Sequence, residues 1–222
     1  MMRYLALPLA LVLTLTAACS DDTTTPTSPS GPRVSFFVTS QTSLTGNLGG
    51  LTGADATCQR LAAAAAHGSG RTWRAYLSVQ AGQSGQPVNA RDRIGGGPWY
   101  NAALALVASN GTELHARLGD AAVFLDERGQ RINGQWTGSP TPNQHDVLTG
   151  SNSDGTVAVG LTCNDWTSEA AAVTAQVGHA DGLGPNQSTA GALASWNAAH
   201  TAQSCADTTP RGGAGRFYCF AQ

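Results

Sequence analysis

Gly46-Asn47-Leu48-Gly49-Gly50-Leu51-Thr52-Gly53-Ala54-Asp55-Ala56-Thr57-Cys58 sets a glycine-rich turn directly against an amphipathic run. Thr52 stands where an N-cap would, with Asp55 three positions on, a shortened capping box. Cys58, Leu61, Ala62 and Ala65 then follow at i, i+3, i+4 and i+7, and Gly68 ends the helix that this spacing predicts. The register turns Cys58 inward with the apolar stripe, which suits a buried disulfide better than a reactive thiol. From Arg71 the period changes to two. Trp73, Ala75, Leu77 and Val79 alternate with Thr72, Arg74, Tyr76 and Ser78, the mark of a half-buried strand.

Around this helix–strand pair, strands are expected at Val34–Val38, at Val147-Leu148, at Val157–Val159, at Ala171–Val177 and at Phe217–Phe220. Val123 and Leu125 lead into Asp126-Glu127-Arg128-Gly129, read as a hairpin turn with a solvated acidic tip before Ile132. One good helix near the start, short strands and long Gly/Asn/Ser/Pro loops make the fold class α+β. No internal repeat is present.

The N-terminal region is organised differently. Arg3 and the apolar run Leu5–Leu15 read as a secretory signal over residues 1–18, too short to span a bilayer. Thr16-Ala17-Ala18-Cys19 resembles the lipobox of bacterial lipoproteins, with Thr16 in the place of the usual Leu. Cys19 is therefore the expected lipidation site, and a membrane is the expected partner through that anchor. Residues 19–33 form a Thr/Ser/Pro-rich linker able to hold a domain on the order of 40 Å from a membrane. The globular domain is expected over 34–222, exported and anchored to the cell envelope, at the outer membrane or cell surface.

Composition narrows the function. Of 222 residues only 12 are cationic, all of them Arg, and the formal charge is −2. Such a chain lacks the basic field that general nucleic-acid binding requires. Setting Cys19 aside, Cys58, Cys163, Cys205 and Cys219 remain, an even set that predicts two disulfides in an exported protein. Spacing leaves three pairings open, and no C-x-x-C pair marks a structural zinc site. No H-E-x-x-H, G-x-S-x-G or P-loop occurs. The five histidines, His67, His115, His145, His179 and His200, are scattered without metal-ligand spacing. His145-Asp146 reads poorly as a base with its orienting acid, because adjacency in sequence disfavours a mutual bond. No catalytic residue, metal or cofactor is expected, and the protein reads as a non-enzyme.

Taken in order, several blocks share one pattern. They are Phe37-Val38-Thr39-Ser40, Gly46–Gly50, Gly53–Cys58, Thr72–Ser78, Thr149–Gly155, Thr162–Thr167, Ser204-Cys205 and Phe217–Phe220. Together they resemble endostatin, the C-terminal module of certain basement-membrane collagens, and bacterial extracellular domains of the same pattern. The resemblance covers about residues 35–222, with 80–145 poorly matched. It implies a C-type-lectin-like fold: a twisted mixed sheet, one main helix packed on it and long loops. It also implies nested disulfides, Cys58 with Cys219 and Cys163 with Cys205. Endostatin resembles a heparin binder through surface arginines, which marks Arg74, Arg91 and Arg93 as candidate glycan contacts. Against that stand eleven Arg and fourteen acids in the chain from Cys19 onward. Endostatin's N-terminal zinc site does not carry over, since no His lies between Cys19 and Val34.

Thr162-Cys163-Asn164-Asp165-Trp166 poses the calcium question. Lectins that bind sugar through calcium carry Trp-Asn-Asp and an earlier Glu-Pro-Asn or Gln-Pro-Asp loop. Here Trp166 follows the pair, and Thr141-Pro142-Asn143 lacks the acid. Asn143, Asp146, Asn164 and Asp165 would supply only part of the six to eight oxygens calcium takes. The expectation is a non-enzymatic binding or adhesion module for a glycan or an extracellular protein. A calcium-dependent lectin and an envelope hydrolase with an unrecognised site are the alternatives.

Overall fold

The computed structural model describes residues 1–2, 31–68 and 70–222. Cys19, the signal segment beyond Met2 and the linker as far as residue 30 lie outside the described residues. Within Pro32–Gln222 the elements run β1 (Phe36–Val38), α1 (Gly50–Ala64), β2 (Trp73–Ala75), β3 (Trp99–Tyr100), β4 (Leu106–Ala108), α2 (Gly111–Ala116), β5 (Asp146–Leu148), β6 (Gln176–His179), β7 (His200–Thr201) and β8 (Gly213–Ala221). No helix of the described residues is long and apolar enough to cross a membrane.

Strand β8 organises the main sheet, whose order is β1-β8-β5-β6-β7 with β2 also paired to β8. Phe220 pairs Phe36 of β1 and Arg74 of β2, both antiparallel, while Phe217 pairs Leu148 of β5 in parallel. Both faces of the sheet are covered, which explains why Phe36-Phe37-Val38 and Phe217–Phe220 read as continuous apolar runs. Phe217, Cys219 and Ala221 point to a core shared with α1, Phe37, Trp73, Trp166 and both disulfides. Tyr218 and Phe220 point to a second core with Phe36, Tyr76, Trp99, Phe124 and Trp196. The fold is α+β, with few helices and a twisted mixed sheet.

The disulfides join Cys58 to Cys219 and Cys163 to Cys205, Cα–Cα 5.5 and 5.7 Å. They are nested, the pairing that the resemblance implies. The outer bridge ties α1 to β8. Two disulfides mark a protein of an oxidising, exported setting.

Several local expectations are corrected. Helix α1 begins at Gly50 behind Gly49, which adopts φ 74° and offers no side-chain cap, so Thr52 lies inside the helix. Asp55 does not cap either; its carboxylate accepts from the Ala75 amide and pairs with Arg74 and Arg93. Val157–Val159 contributes only an isolated bridge, Ser151 to Val157, and the strand expected over Ala171–Val177 forms at Gln176–His179. Asp126 and Glu127 are buried rather than a solvated tip. Asp126 Oδ1 accepts from the amides of Arg128 and Gln130, and Glu127 holds the amide and hydroxyl of Ser40. These bonds replace the water that a buried carboxylate would otherwise need.

Candidate metal centre

Strands β5, β6 and β7 assemble a cluster that no local spacing announces. Asp146 pairs with His179 across the antiparallel β5–β6 ladder, and His200 of β7 pairs with Val177, two residues before His179. Strand alternation therefore puts Asp146, His179 and His200 on one sheet face. His145, directly before β5, joins them. The β5–β8 pairing shifts register between Asp146 and Val147, and such an irregularity frees neighbouring side chains from strict alternation. The His145 and His179 rings stack with centroids 4.2 Å apart.

Each imidazole is oriented through its Nδ1. His145 Nδ1 lies 2.7 Å from Asp181 Oδ1, His179 Nδ1 lies 2.8 Å from the Leu193 carbonyl, and His200 Nδ1 lies 3.0 Å from the Thr201 carbonyl. Carbonyl and carboxylate oxygens only accept, so every Nδ1 carries the proton. The Nε2 atoms converge. His179 Nε2 is 2.9 Å from His200 Nε2. Asp146 Oδ1 is 3.2 Å from His145 Nε2 and 3.4 Å from His179 Nε2, and Asp146 Oδ2 is 3.6 Å from His200 Nε2. Although fully buried, Asp146 Oδ1 makes no hydrogen bond. Lone pairs of neutral imidazoles turned toward each other and toward a carboxylate repel unless a cation lies among them.

Where no ion lies among these groups, a proton on His145 takes the cation's place, and a metal would have to displace it. Burial works against charge on His145, yet the carboxylates of Asp146 and Asp181 outweigh it and lift the imidazole to about 9. Burial and then the charge of His145 push His179 down to about 4, keeping it a neutral lone-pair donor. Burial alone would raise Asp181; the bond and charge of His145 and the amides of Gln135 and Leu183 hold it below the usual range instead. Asp181 is thus an ionised, fixed second partner. A carboxylate behind a ligating histidine is the arrangement that orients imidazoles in metal sites.

The spacing also suits a small divalent ion. Zinc–ligand bonds of about 2.0–2.1 Å in a tetrahedron separate the ligand atoms by roughly 3.3 Å. Four of the six ligand-atom separations, 2.9 to 3.6 Å, bracket that value, and the ligand atoms of His145, Asp146 and His179 all lie within 4.8 Å of one another. His145, Asp146 and His179 form a buried group with metal-holding geometry. His200 stands at its exposed side, on a cavity of about 390 Å³ also lined by Gln135, Asn143, Pro185, Leu193 and Arg211.

A family model matches residues 41–183. The chain belongs to the DUF1554 family. That family is described as a protein of unknown function. The matched span holds His145, Asp146, His179 and Asp181, while His200 and Arg211 of this DUF1554 chain lie beyond it. No curated protein matches the chain.

The residues singled out in the sequence fall in separate places. Asn143 and Asp146 belong to the histidine cleft, where Asn143 Oδ1 accepts from the His145 amide at 3.2 Å. Asn164 and Asp165 lie elsewhere, in a turn whose residues Cys163, Asn164, Asp165 and Trp166 all have positive φ. Both oxygens of Asp165 are engaged, by the amides of Gln80 at 2.7 Å and Ala81 at 2.9 Å. Trp166 is fully buried and donates Nε1–H to the Ser78 carbonyl. Arg93 is buried on Asp55, 2.7 Å, and Arg74 meets the same carboxylate at 2.9 Å. Arg91 reaches Asp154 at 3.4 Å. All three arginines have carboxylate partners in the fold.

Adjacency in sequence disfavours a bond between His145 and Asp146, yet the two side chains approach to 3.2 Å. His179 and His200 stand scattered in sequence, and the β6–β7 pairing unites them. The legible signal was one of composition: three of the five histidines lie in the C-terminal part of the chain beside Asp146 and Asp181.

Proposed function

We propose that this chain is an exported, lipid-anchored envelope protein whose domain binds a transition-metal ion of the zinc class through His145, Asp146, His179 and His200. The domain acts in binding rather than catalysis. One observation carries the reading: three imidazoles, each held through its Nδ1, turn Nε2 toward the buried Asp146 carboxylate, His145 and His179 toward Oδ1, which makes no hydrogen bond, and His200 toward Oδ2. Imidazole and carboxylate together suit zinc and its neighbours rather than calcium, which takes oxygens.

The nested disulfides and the helix packed on a mixed sheet support an endostatin-like, C-type-lectin-like fold for the domain. Sites on such folds differ and are argued from their own chemistry. Here the chemistry lies in the cleft at β5–β7, so the ligand of the binding module is expected there.

Elemental analysis of the full chain after dialysis against zinc tests the proposal. One zinc per chain is expected, and the His145→Ala/His179→Ala double variant should hold none. Zinc-free protein after dialysis overturns the reading. The anchor is tested separately: Cys19→Ser should move the protein from the membrane fraction to the soluble fraction.

A further inference from the structure

We propose that the metal, held by these four side chains, takes a fifth ligand from the cleft side, the carboxylate of a small organic acid whose second oxygen is held by Arg211. This rests on the metal reading above and adds the ligand to it.

Access comes first. His145, Asp146 and His179 are at most 3% exposed, whereas His200 is 27% exposed and faces the cavity, so an ion among them is reached from the cleft side alone. Arg211 lines that cavity. Its guanidinium makes a long bond from Nη1 to the Thr201 carbonyl, 3.4 Å, and meets no carboxylate among the described residues. It is the one arginine on this cleft, while Arg74, Arg91 and Arg93 elsewhere have acid partners.

The backbone holds Arg211 in place. Arg211 has φ 67° and Gly212 φ 104°, conformations that side chains rarely adopt. A Cβ on Gly212 would stand 2.5 Å from Asn143 Nδ2 and 3.2 Å from His145 Cδ2, so the turn packs directly on the ring of a ligand. Backbone in sparsely populated conformations gathers where surroundings hold a functional geometry. Asn143 is fixed through its Oδ1 on the His145 amide, leaving its Nδ2 as a further donor beside the cleft.

Charge selects the ligand. A divalent ion is balanced by Asp146 and Asp181, and Arg211 then leaves one positive charge in a cleft whose lining contains no acid. A monoanion restores neutrality, and a carboxylate offers one oxygen to the metal and one to the guanidinium. Pro185 and Leu193 supply an apolar wall for a short organic body, and about 390 Å³ is the size of a small-molecule site.

Cobalt(II) in place of zinc gives the full chain visible absorption bands that respond to each change of coordination. Butyrate should shift these bands saturably, and butyramide, its neutral counterpart, should not. Inorganic phosphate tests whether any oxyanion suffices; a response as strong as that to butyrate overturns carboxylate selectivity. Arg211→Gly suits the left-handed backbone and removes the guanidinium; it should weaken butyrate at least tenfold, with cobalt content measured alongside. Arg211→Lys should restore part of the loss. A cobalt-loaded protein whose bands ignore butyrate, or respond equally in Arg211→Gly, overturns the ligand and leaves the metal standing. Failure to take up cobalt overturns both.

Discussion

Asp146 and His179 face each other across the β5–β6 ladder, with Asp146 Oδ1 3.4 Å from His179 Nε2 in an interior where that oxygen makes no hydrogen bond. A buried carboxylate oxygen without a partner costs about 1–3 kcal/mol or more. An ion that binds only the folded chain offsets this cost. Zinc at a hundredfold excess over its Kd should stabilise by about 2.7 kcal/mol. For a domain of this size that raises Tm by about 5–10 °C. Thermal unfolding with zinc, and again after a chelator, measures it, and His179→Ala should abolish the shift.

Asp181 touches the centre only through His145, whose Nδ1 it holds at 2.7 Å. Its other oxygen accepts from the Gln135 amide at 2.6 Å, so the carboxylate cannot swing away. Asp181→Asn keeps the shape and removes the charge behind the ligand. Zinc affinity, read by competition with a chromophoric chelator, should fall about 10- to 100-fold with stoichiometry unchanged. A complete loss of zinc would instead make Asp181 a ligand in its own right.

How much of this was readable depends on the range of the signal. The register of Cys58, Leu61 and Ala62 is local, and all three are buried against the sheet as that register predicts. The alternation from Trp73 is likewise local: Trp73, Ala75, Leu77 and Val79 reach one core, and Tyr76, on the other face, reaches the second and meets Asn197 and His115. The histidine cluster is not local. It joins residues 145 and 200 through two strand pairings, and its spacing follows no short motif. Glu127 escapes a local reading for the same reason, its partner Ser40 lying 87 positions away, whereas Asp126 is held within its own turn by the amides of Arg128 and Gln130.

The outer bridge has a separate consequence. Cys58 and Cys219 are 161 residues apart, and in the chain-entropy model closing such a loop stabilises by about 5 kcal/mol. Cys163 and Cys205, 42 apart, give about 4 kcal/mol taken singly. Non-reducing peptide mapping should find these two pairs and no other. Cys58→Ala/Cys219→Ala should cost more than Cys163→Ala/Cys205→Ala in denaturant unfolding. The reverse order would mean that the outer bridge strains the native state.

The Thr162–Trp166 turn carries the last prediction. Four consecutive non-glycine residues, Cys163 to Trp166, have φ between 47° and 66°. Left-handed backbone costs roughly 1–2 kcal/mol per residue, so the turn needs anchors. Cys163 is anchored by its disulfide and Trp166 by full burial and the Ser78 carbonyl. Gly150, at φ 61°, lets the indole close in: a Cβ there would stand 2.7 Å from Trp166 Cζ2. Asp165 anchors the middle through the amides of Gln80 and Ala81 and the hydroxyl of Thr162. Asp165→Ala strands two amides and should cost about 2–4 kcal/mol, since hydrogen bonds to a charged group contribute about 1.5–3 kcal/mol each. Asp165→Asn, which keeps one acceptor, should cost less. Trp166→Ala should cost about 3–5 kcal/mol, as buried aromatic truncations do. Because the Asp165 oxygens are already engaged, calcium should leave Tm unchanged in the wild type and in both Asp165 variants. A calcium-dependent rise of several degrees that vanishes in Asp165→Ala would return this turn to the role of a cation site and restore the calcium-dependent sugar-binding reading.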